Sequence, residues 1–278
     1  MNERTAPTLS IPTGVEPTPV AVRLLQTVEE LQRAEHLLGE VWGGAPSEAP
    51  LALDVMCALS FTGGYVVGAF IDDEMVGVTA GFRTVHGSLH SHIAGVLAPH
   101  RGSGVGRAMK QHQLAWAAAH GMPSISWTFD PLIRRNAYFN LHRLGAVVER
   151  FVPDFYGPLS DGINEGELTD RLVVTWSTAG GSAHPAAEER ALLPLDTYEP
   201  LLDSGPGEEP VRRETSAALL RIATPSDAEK MRQQDRAAAG RWRMQMRSAL
   251  GDALSGGHRV IGFHPSGWYL LHRKDIAS

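Results

Sequence analysis

The stretch Val96-Leu97-Ala98-Pro99-His100-Arg101-Gly102-Ser103-Gly104-Val105-Gly106-Arg107-Ala108 is a glycine-rich turn that follows an apolar run and leads directly into a helical pattern. Three glycines at alternate positions allow the backbone to approach an anion closely. The free amides at the start of the following helix, at the positive end of its dipole, supply the attraction. Spacing excludes two common glycine loops. A dinucleotide fingerprint needs a further glycine three residues after the second, where Arg107 or Met109 stands here. A nucleotide P-loop needs Gly-Lys-Ser/Thr, whereas Gly106 is followed by Arg107-Ala108. A tight strand-to-helix turn without ligand is the structural alternative.

The order of elements before and after this loop sets the fold class. Ala21–Leu25 reads as a strand, and Thr27 with Glu30 is a capping-box start for a helix carrying Leu31, Ala34 and Leu38. A second helix is expected from Pro50 to about Ser60, with Leu51, Val55 and Leu59 on one stripe. Tyr65–Ile71 and Met75–Phe82 form a hairpin about Asp72-Asp73-Glu74, and Leu89–Val96 is a third strand entering the loop. After it, Val105, Ala108, Met109, His112, Trp116 and Ala119 share a helical face ended by Gly121. Ser124–Phe129, Ala146–Val152 and Leu172–Trp176 read as strands, with a short helix Asn136–Leu144 between the first two. Helices, antiparallel strands and then the anion loop make an α+β fold with a mixed, mostly antiparallel sheet flanked by helices.

From Thr178 to about Ser216 five prolines interrupt the chain, Pro185, Pro194, Pro200, Pro206 and Pro210, and the stretch 178–216 reads as a linker or arm. Leu219–Ile222 is a short strand. A helix follows from Thr224-Pro225-Ser226-Asp227 with Met231, Trp242, Met246, Leu250 and Leu254 on its apolar face and a break expected at Gly240, and a hairpin surrounds Pro265-Ser266-Gly267. This small helix-hairpin C-terminal extension, 217–278, lacks the size to bury a core alone and is expected to dock on the domain of residues 20–177. Residues 1–19, with Pro7, Pro12, Pro17 and Pro19, read as a disordered lead-in rather than a signal peptide.

Composition narrows the partners. A net charge of -6 without a basic run lacks the footprint of a nucleic-acid binder. No apolar run approaches the roughly 18 residues of a membrane span, and the single cysteine, Cys57, excludes an internal disulfide. A cytoplasmic protein acting on a small molecule, with no membrane partner, is expected; a homodimer is compatible with the sequence.

Val96 to Gly106 resembles the signature of the GCN5-related N-acetyltransferase (GNAT) superfamily, Val-x-Pro-x-x-Arg-Gly-x-Gly-x-Gly, with the proline moved one place along. The C-terminal extension resembles that of a poorly characterised bacterial branch. The resemblance implies a GNAT acyl-CoA N-acyltransferase fold and acetyl-CoA, or another short acyl-CoA, as co-substrate. The loop, Arg101, Gly102, Ser103, Gly104, Val105, Gly106 and Arg107, would hold the pyrophosphate. Backbone groups near Gly95, Val96 and Ala98 would pair with the pantetheine arm, and the amide near Val96 would polarise the thioester carbonyl. Asn136 stands where the family often contacts the carrier, with helix capping as the alternative.

The resemblance is weaker at the acid and base. Many members carry a Glu on the fourth strand where this chain has His90 and His92. Two residues apart on a strand they share a face, and a neutral imidazole accepts an ammonium proton near neutral pH. Polar groove-lining residues are the alternative; a metal pair lacks a third ligand at telling spacing. The tyrosine expected four residues before Gly145 is Leu141, which leaves Tyr138 and Tyr156 as candidate proton donors. Arg134 and Arg135 would suit a carboxylate on the acyl group, giving succinyl-CoA transfer to an amino acid as a second reading. An inactive CoA-binding regulatory module is the third. The leading expectation is direct acetyl transfer to a primary amine of a small molecule.

Overall fold

The computed structural model describes residues 19–43, 49–157, 168–179 and 193–273, so nearly all of the expected lead-in lies outside the described residues. Seven strands, β1 (Ala21–Leu24), β2 (Tyr65–Ile71), β3 (Glu74–Arg83), β4 (Leu89–Val96), β5 (Ser124–Phe129), β6 (Val147–Val152) and β7 (Arg171–Ser177), form a sheet of order β1-β2-β3-β4-β5-β7-β6. Every neighbouring pair is antiparallel except β4 and β5. These two are joined by a helix, the connection that parallel strands require. The turn between β2 and β3 places Asp72 and Asp73 at positive φ, the geometry that suits a twisted two-residue hairpin.

Helix α1 (Val28–Trp42) begins at the expected capping box, in which Thr27 and Glu30 each satisfy the other's backbone amide. With α2 (Leu53–Phe61) it covers one sheet face, packing Leu31, Leu38 and Met56 on Phe70, Val78, Ala80 and Ile93. The expected α2 stripe is displaced, because the helix starts at Leu53, whose amide donates to the Glu35 carboxylate, and buries Met56 while Val55 is exposed.

Helix α3 (Val105–Ala119) covers the opposite face. Its buried positions are Val105, Met109, Lys110, Gln113 and Ala117; Val105 and Met109 belong to the expected face, whereas Ala119, at its end, is exposed. The stripe is rotated because Lys110 and Gln113 bond each other in the interior, a pattern that hydrophobic periodicity cannot register.

The C-terminal part corrects the linker reading. Strands β8 (Glu199–Ser204), β9 (Pro210–Arg212), β10 (Leu219–Ala223), β11 (His258–His264) and β12 (Trp268–Arg273) form a second sheet of order β11-β12-β10-β8-β9. Two of these strands fall inside the stretch expected to be loosely packed. Their prolines sit where a missing N–H is tolerated: Pro210 opens the edge strand, and Pro200 precedes the part of β8 that pairs with β9. Helices α5 (Ala228–Gln234) and α6 (Arg236–Ser255) are divided at Asp235, which caps α6, and Gly240 lies inside a continuous helix. Among the described residues no helix is long and apolar enough to cross a membrane.

One apolar core joins the two sheets, with Leu89, Ile125 and Leu141 in the same cluster as Leu202, Trp242 and Phe263. A buried ionic knot reinforces the junction. Asp130, directly after β5, accepts two bonds from Arg243 at 2.8 and 2.6 Å and one from Arg232 at 2.5 Å, with Arg171 at 3.8 Å. Burial alone would raise this carboxyl's pKa, but the guanidinium groups, Arg243 foremost, outweigh it and hold the carboxyl below its ordinary range. Helix α4 (Arg134–Ala137) adds Arg134 bonded to Thr224 and Arg135 paired with Glu229.

Replacing Asp130 by Asn removes the buried carboxylate that Arg243, Arg232 and Arg171 share, so Asp130→Asn should lower the unfolding free energy by about 3 kcal/mol at pH 7 in urea titration. Because the native carboxyl titrates below its ordinary value, its stabilisation is complete above the unfolded carboxylate range. The gap between wild type and variant should therefore narrow as pH falls below about 4. A gap independent of pH would remove the charge from the account.

Candidate active site

Strands β4 and β5 run side by side for two residue pairs only, Leu89 with Ile125 and His90 with Ser126. Beyond them β4 stays with β3 as far as Val96, and β5 stays with β7 as far as Phe129. The two strands therefore part into a wedge whose walls are backbone edges, open toward Val96 and the glycine loop. Such unpaired edges need partners when solvent is displaced from them.

At the mouth a single 3-10 turn, Ala98–His100, leads into the loop. Gly102 and Gly104 have φ of 83° and 94°, a region that L side chains rarely adopt. Gly104 occupies the N-cap of α3 and offers no side chain to the helix. The first helical bond runs from the Ala108 amide to the Gly104 carbonyl at 2.9 Å. The amides of Val105, Gly106 and Arg107 consequently emerge without an acceptor among the described residues. Arg101 Nε donates to the Val96 carbonyl at 3.2 Å and the Ser103 hydroxyl to the His100 carbonyl at 2.7 Å, bracing the loop. A Cβ on Gly106 would meet only the Phe139 ring at 3.9 Å, an ordinary contact, so the fold itself does not require that glycine. The cradle fits a phosphate group, with three outward amides, a helix start and an open approach.

The apex of the wedge carries the histidines. The pairing of β3 with β4 shifts between Ala80–Ile93 and Gly81–Ser91 and leaves His92 without a cross-strand partner. His90 and His92 both lie against Phe82, with ring centroids 5.3 and 5.7 Å from it and 6.4 Å from each other. His90 Nδ1 is 3.2 Å from the Ser126 hydroxyl across the last pair of the ladder. Burial lowers the pKa of both imidazoles, and the charges of His92 and Lys110 lower His90 further, so both are neutral at pH 7.

Tyr156 reaches the same face. Its hydroxyl is 3.5 Å from Thr128, two residues along β5 from Ser126, and its amide donates to Thr169 Oγ1 at 3.0 Å. Thr175, opposite Ser126 on β7, donates to Glu149 at 2.5 Å, which places a carboxylate at the far side of this face. Glu149 stands at an irregularity in the β6–β7 pairing, so its direction was not readable from alternation.

Tyr138 is not brought to the histidines. The chain after α4 makes a π-helical turn, Tyr138–Arg143, closed by the Leu144 amide on the Phe139 carbonyl. The wider turn stacks Tyr138 on His142 at 4.8 Å, points Phe139 toward the glycine loop and buries Leu141 in the core. Asn136 lies within α4 and does not cap it, since Ile133 holds that position. Arg134 and Arg135, expected near the acyl group or in solvent, are engaged with Thr224 and Glu229. Among the described residues no group of His, Cys, Asp and Glu is arranged to hold a metal.

Residues 23–145 match the family model described as the acetyltransferase (GNAT) family. Similar solved structures include the ribosomal-protein-S18-alanine N-acetyltransferase from Escherichia coli, 12% identical over 60% of this chain and 98% of that one, with a TM-score of 0.46. Others are an N-acetyltransferase from Staphylococcus aureus, 13% identical over 58% and 99% with a TM-score of 0.44, and an acetyltransferase of the GNAT family from Streptococcus pneumoniae, 12% identical over 57% and 99% with a TM-score of 0.45. No protein of curated function matches the sequence. The segment 23–145, which holds the wedge, the glycine loop and both histidines, is an acetyltransferase domain of the GNAT family.

Proposed function

We propose that the protein transfers an acetyl group from acetyl-CoA directly to a primary amine of a small molecule. The observation that carries this reading is the wedge between β4 and β5, closed at its apex by His90 and Ser126 and ending at its mouth on the unpaired amides of α3. The amides of Gly102, Gly104, Val105, Gly106 and Arg107 hold the pyrophosphate. The backbone around Gly95, Val96 and Ala98 receives the pantetheine arm, and a β4 amide polarises the carbonyl as a fixed dipole that need not reorganise during reaction.

The acceptor enters on the face of His90, His92 and Tyr156. His90, steadied by Ser126, takes the proton from the ammonium and frees the lone pair that attacks the thioester carbon. His92 and Tyr156 line the approach. Arg134 and Arg135 are engaged with the C-terminal sheet and α5, which favours an uncharged acyl group over a succinyl one. The lack of a β4 carboxylate and of a tyrosine at Leu141 keeps a non-catalytic CoA-binding module as the second reading. Binding of acetyl-CoA without thiol release across an amine library would establish it.

Calorimetry with acetyl-CoA tests the cradle. The wild type should bind, and Gly106→Glu, which sets a carboxylate beside the phosphates at a position the fold leaves open, should weaken binding at least about a hundredfold with little change in Tm. Undiminished binding in that variant would place the carrier elsewhere.

A pH profile tests the base. Activity requires neutral His90, whose pKa lies below the ordinary 6.5, so kcat/KM should show an acid limb that rises through a midpoint under that value. His90→Gln should lower kcat about a hundredfold and abolish this acid limb while leaving acetyl-CoA binding intact. A limb that persists in the His90→Gln/His92→Gln double variant would exclude both imidazoles.

A further inference from the structure

We propose that Lys110 is the acid that delivers a proton to the leaving thiolate, a role that rests on the acyl transfer read for the wedge. Lys110 lies on α3, and its side chain runs inward to the point where the ladder between β4 and β5 ends. Nζ donates to Ser91 Oγ at 3.0 Å and to Gln113 Oε1 at 3.0 Å, and stands 3.9 Å from the centroid of the Trp127 ring. Ser91 and Trp127 are the first residues of β4 and β5 beyond the last pair. The ammonium thus spans the apex of the wedge from the α3 side, while His90 and Ser126 close it from the other.

The surroundings of this lysine make little sense as packing. Its face of α3 is otherwise apolar, formed by Val105, Met109 and Ala117 with the buried Gln113, whose Nε2 has no hydrogen-bond partner. Both acceptors of Lys110 are neutral oxygens and its third contact is a ring face, so no carboxylate among the described residues balances the buried charge. A methionine would fill the same space without desolvating a cation. Burial brings the pKa of Lys110 down to about 7, within reach of proton transfer to sulfur. The titratable group whose charge couples to it is His90 on β4.

Length gives the reason the sulfur should arrive there. From Val96 back to Ser91 the wall of the wedge is five residue steps, about 17 Å of strand, comparable to an extended pantetheine arm. With the pyrophosphate on the α3 amides, the thioester end falls at the apex. Once His90 has passed the ammonium's proton to water, the amine nitrogen forms its bond to the carbonyl carbon from the His90 face, and His90 takes the second proton that the nitrogen loses as the amide forms. When the C–S bond breaks, its electron pair goes to sulfur. Lys110 gives Nζ–H to that sulfur, CoA leaves as the thiol, and the neutral lysine recovers a proton from water.

Two measurements test this on the full chain with Lys110→Met. The first needs no turnover: the rate at which iodoacetamide alkylates the thiol of CoA bound to each protein at pH 6, where Lys110 keeps its proton. An ammonium at the apex should raise the thiolate fraction, and with it the alkylation rate, at least about tenfold in the wild-type complex over the Lys110→Met complex. The second is thiol release with an amine acceptor. Lys110→Met should lose about a hundredfold or more in kcat, keep its affinity for acetyl-CoA within about threefold, and lose the fall in rate that the wild type shows as pH rises through the lysine's titration.

Identical alkylation rates in the two complexes at pH 6 would overturn the proposal, as would a mass gain showing Lys110 itself to be acylated. A wild type that shifts the thiol but acylates no amine would support the placement of Lys110 and overturn the transfer reading alone.

Discussion

The parting of β4 from β5 after two residue pairs is the constraint on which the rest of the molecule turns. A parallel pair inside a sheet would ordinarily continue its ladder, because an unpaired backbone edge in a protein interior is costly. Here each strand is held along its outer side by an antiparallel neighbour, β3 or β7, so neither can swing in to close the gap. The wedge is an edge made inside a sheet, which leaves open the backbone pairing usually reserved for another strand. The groups of the candidate site are arranged along it, with the outward amides of α3 at the mouth and titratable groups at the apex.

Much of this was legible in the sequence, for physical reasons that can be named. The glycine loop could be read because Gly102 and Gly104 occupy backbone conformations that only glycine adopts cheaply, so residue type and geometry coincide there. The strands around it could be read because half-buried and buried strands show their period or their β-branched composition. His90 and His92 could be placed on one face by alternation. The resemblance to the GNAT signature then gave the family that residues 23–145 match.

What escaped lay where local pattern and tertiary environment disagree. Lys110 and Gln113 are polar residues on a buried helical face, which periodicity assigns to solvent. The π-helical turn at Tyr138–Arg143 closes its hydrogen bond five residues back instead of four, with Tyr138 stacked on His142 and Phe139 beside the glycine loop, an arrangement that α-helical spacing does not reveal. Prolines concealed β8 and β9, because their tolerance depends on which edge of a strand is paired and not on the strand's existence. Arg134 and Arg135 looked like ligand-binding or solvated groups, and their partners, Thr224 and Glu229, are about ninety residues distant in the chain.

The ionic knot at Asp130 has a consequence for how the protein comes into being. The carboxylate ends the strand that forms one wall of the wedge, and its partner Arg243 lies 113 residues later. A ribosome that has just finished the acetyltransferase segment has made both walls of the wedge but neither α6 nor the second sheet that shares its core. The apolar sides of β5 and the π-helical turn must then wait, exposed, for the last part of the chain. Such a nascent half is the kind of species that aggregates or recruits chaperones. The catalytic half of this molecule is thus the earlier part to be synthesised and the later to be secured.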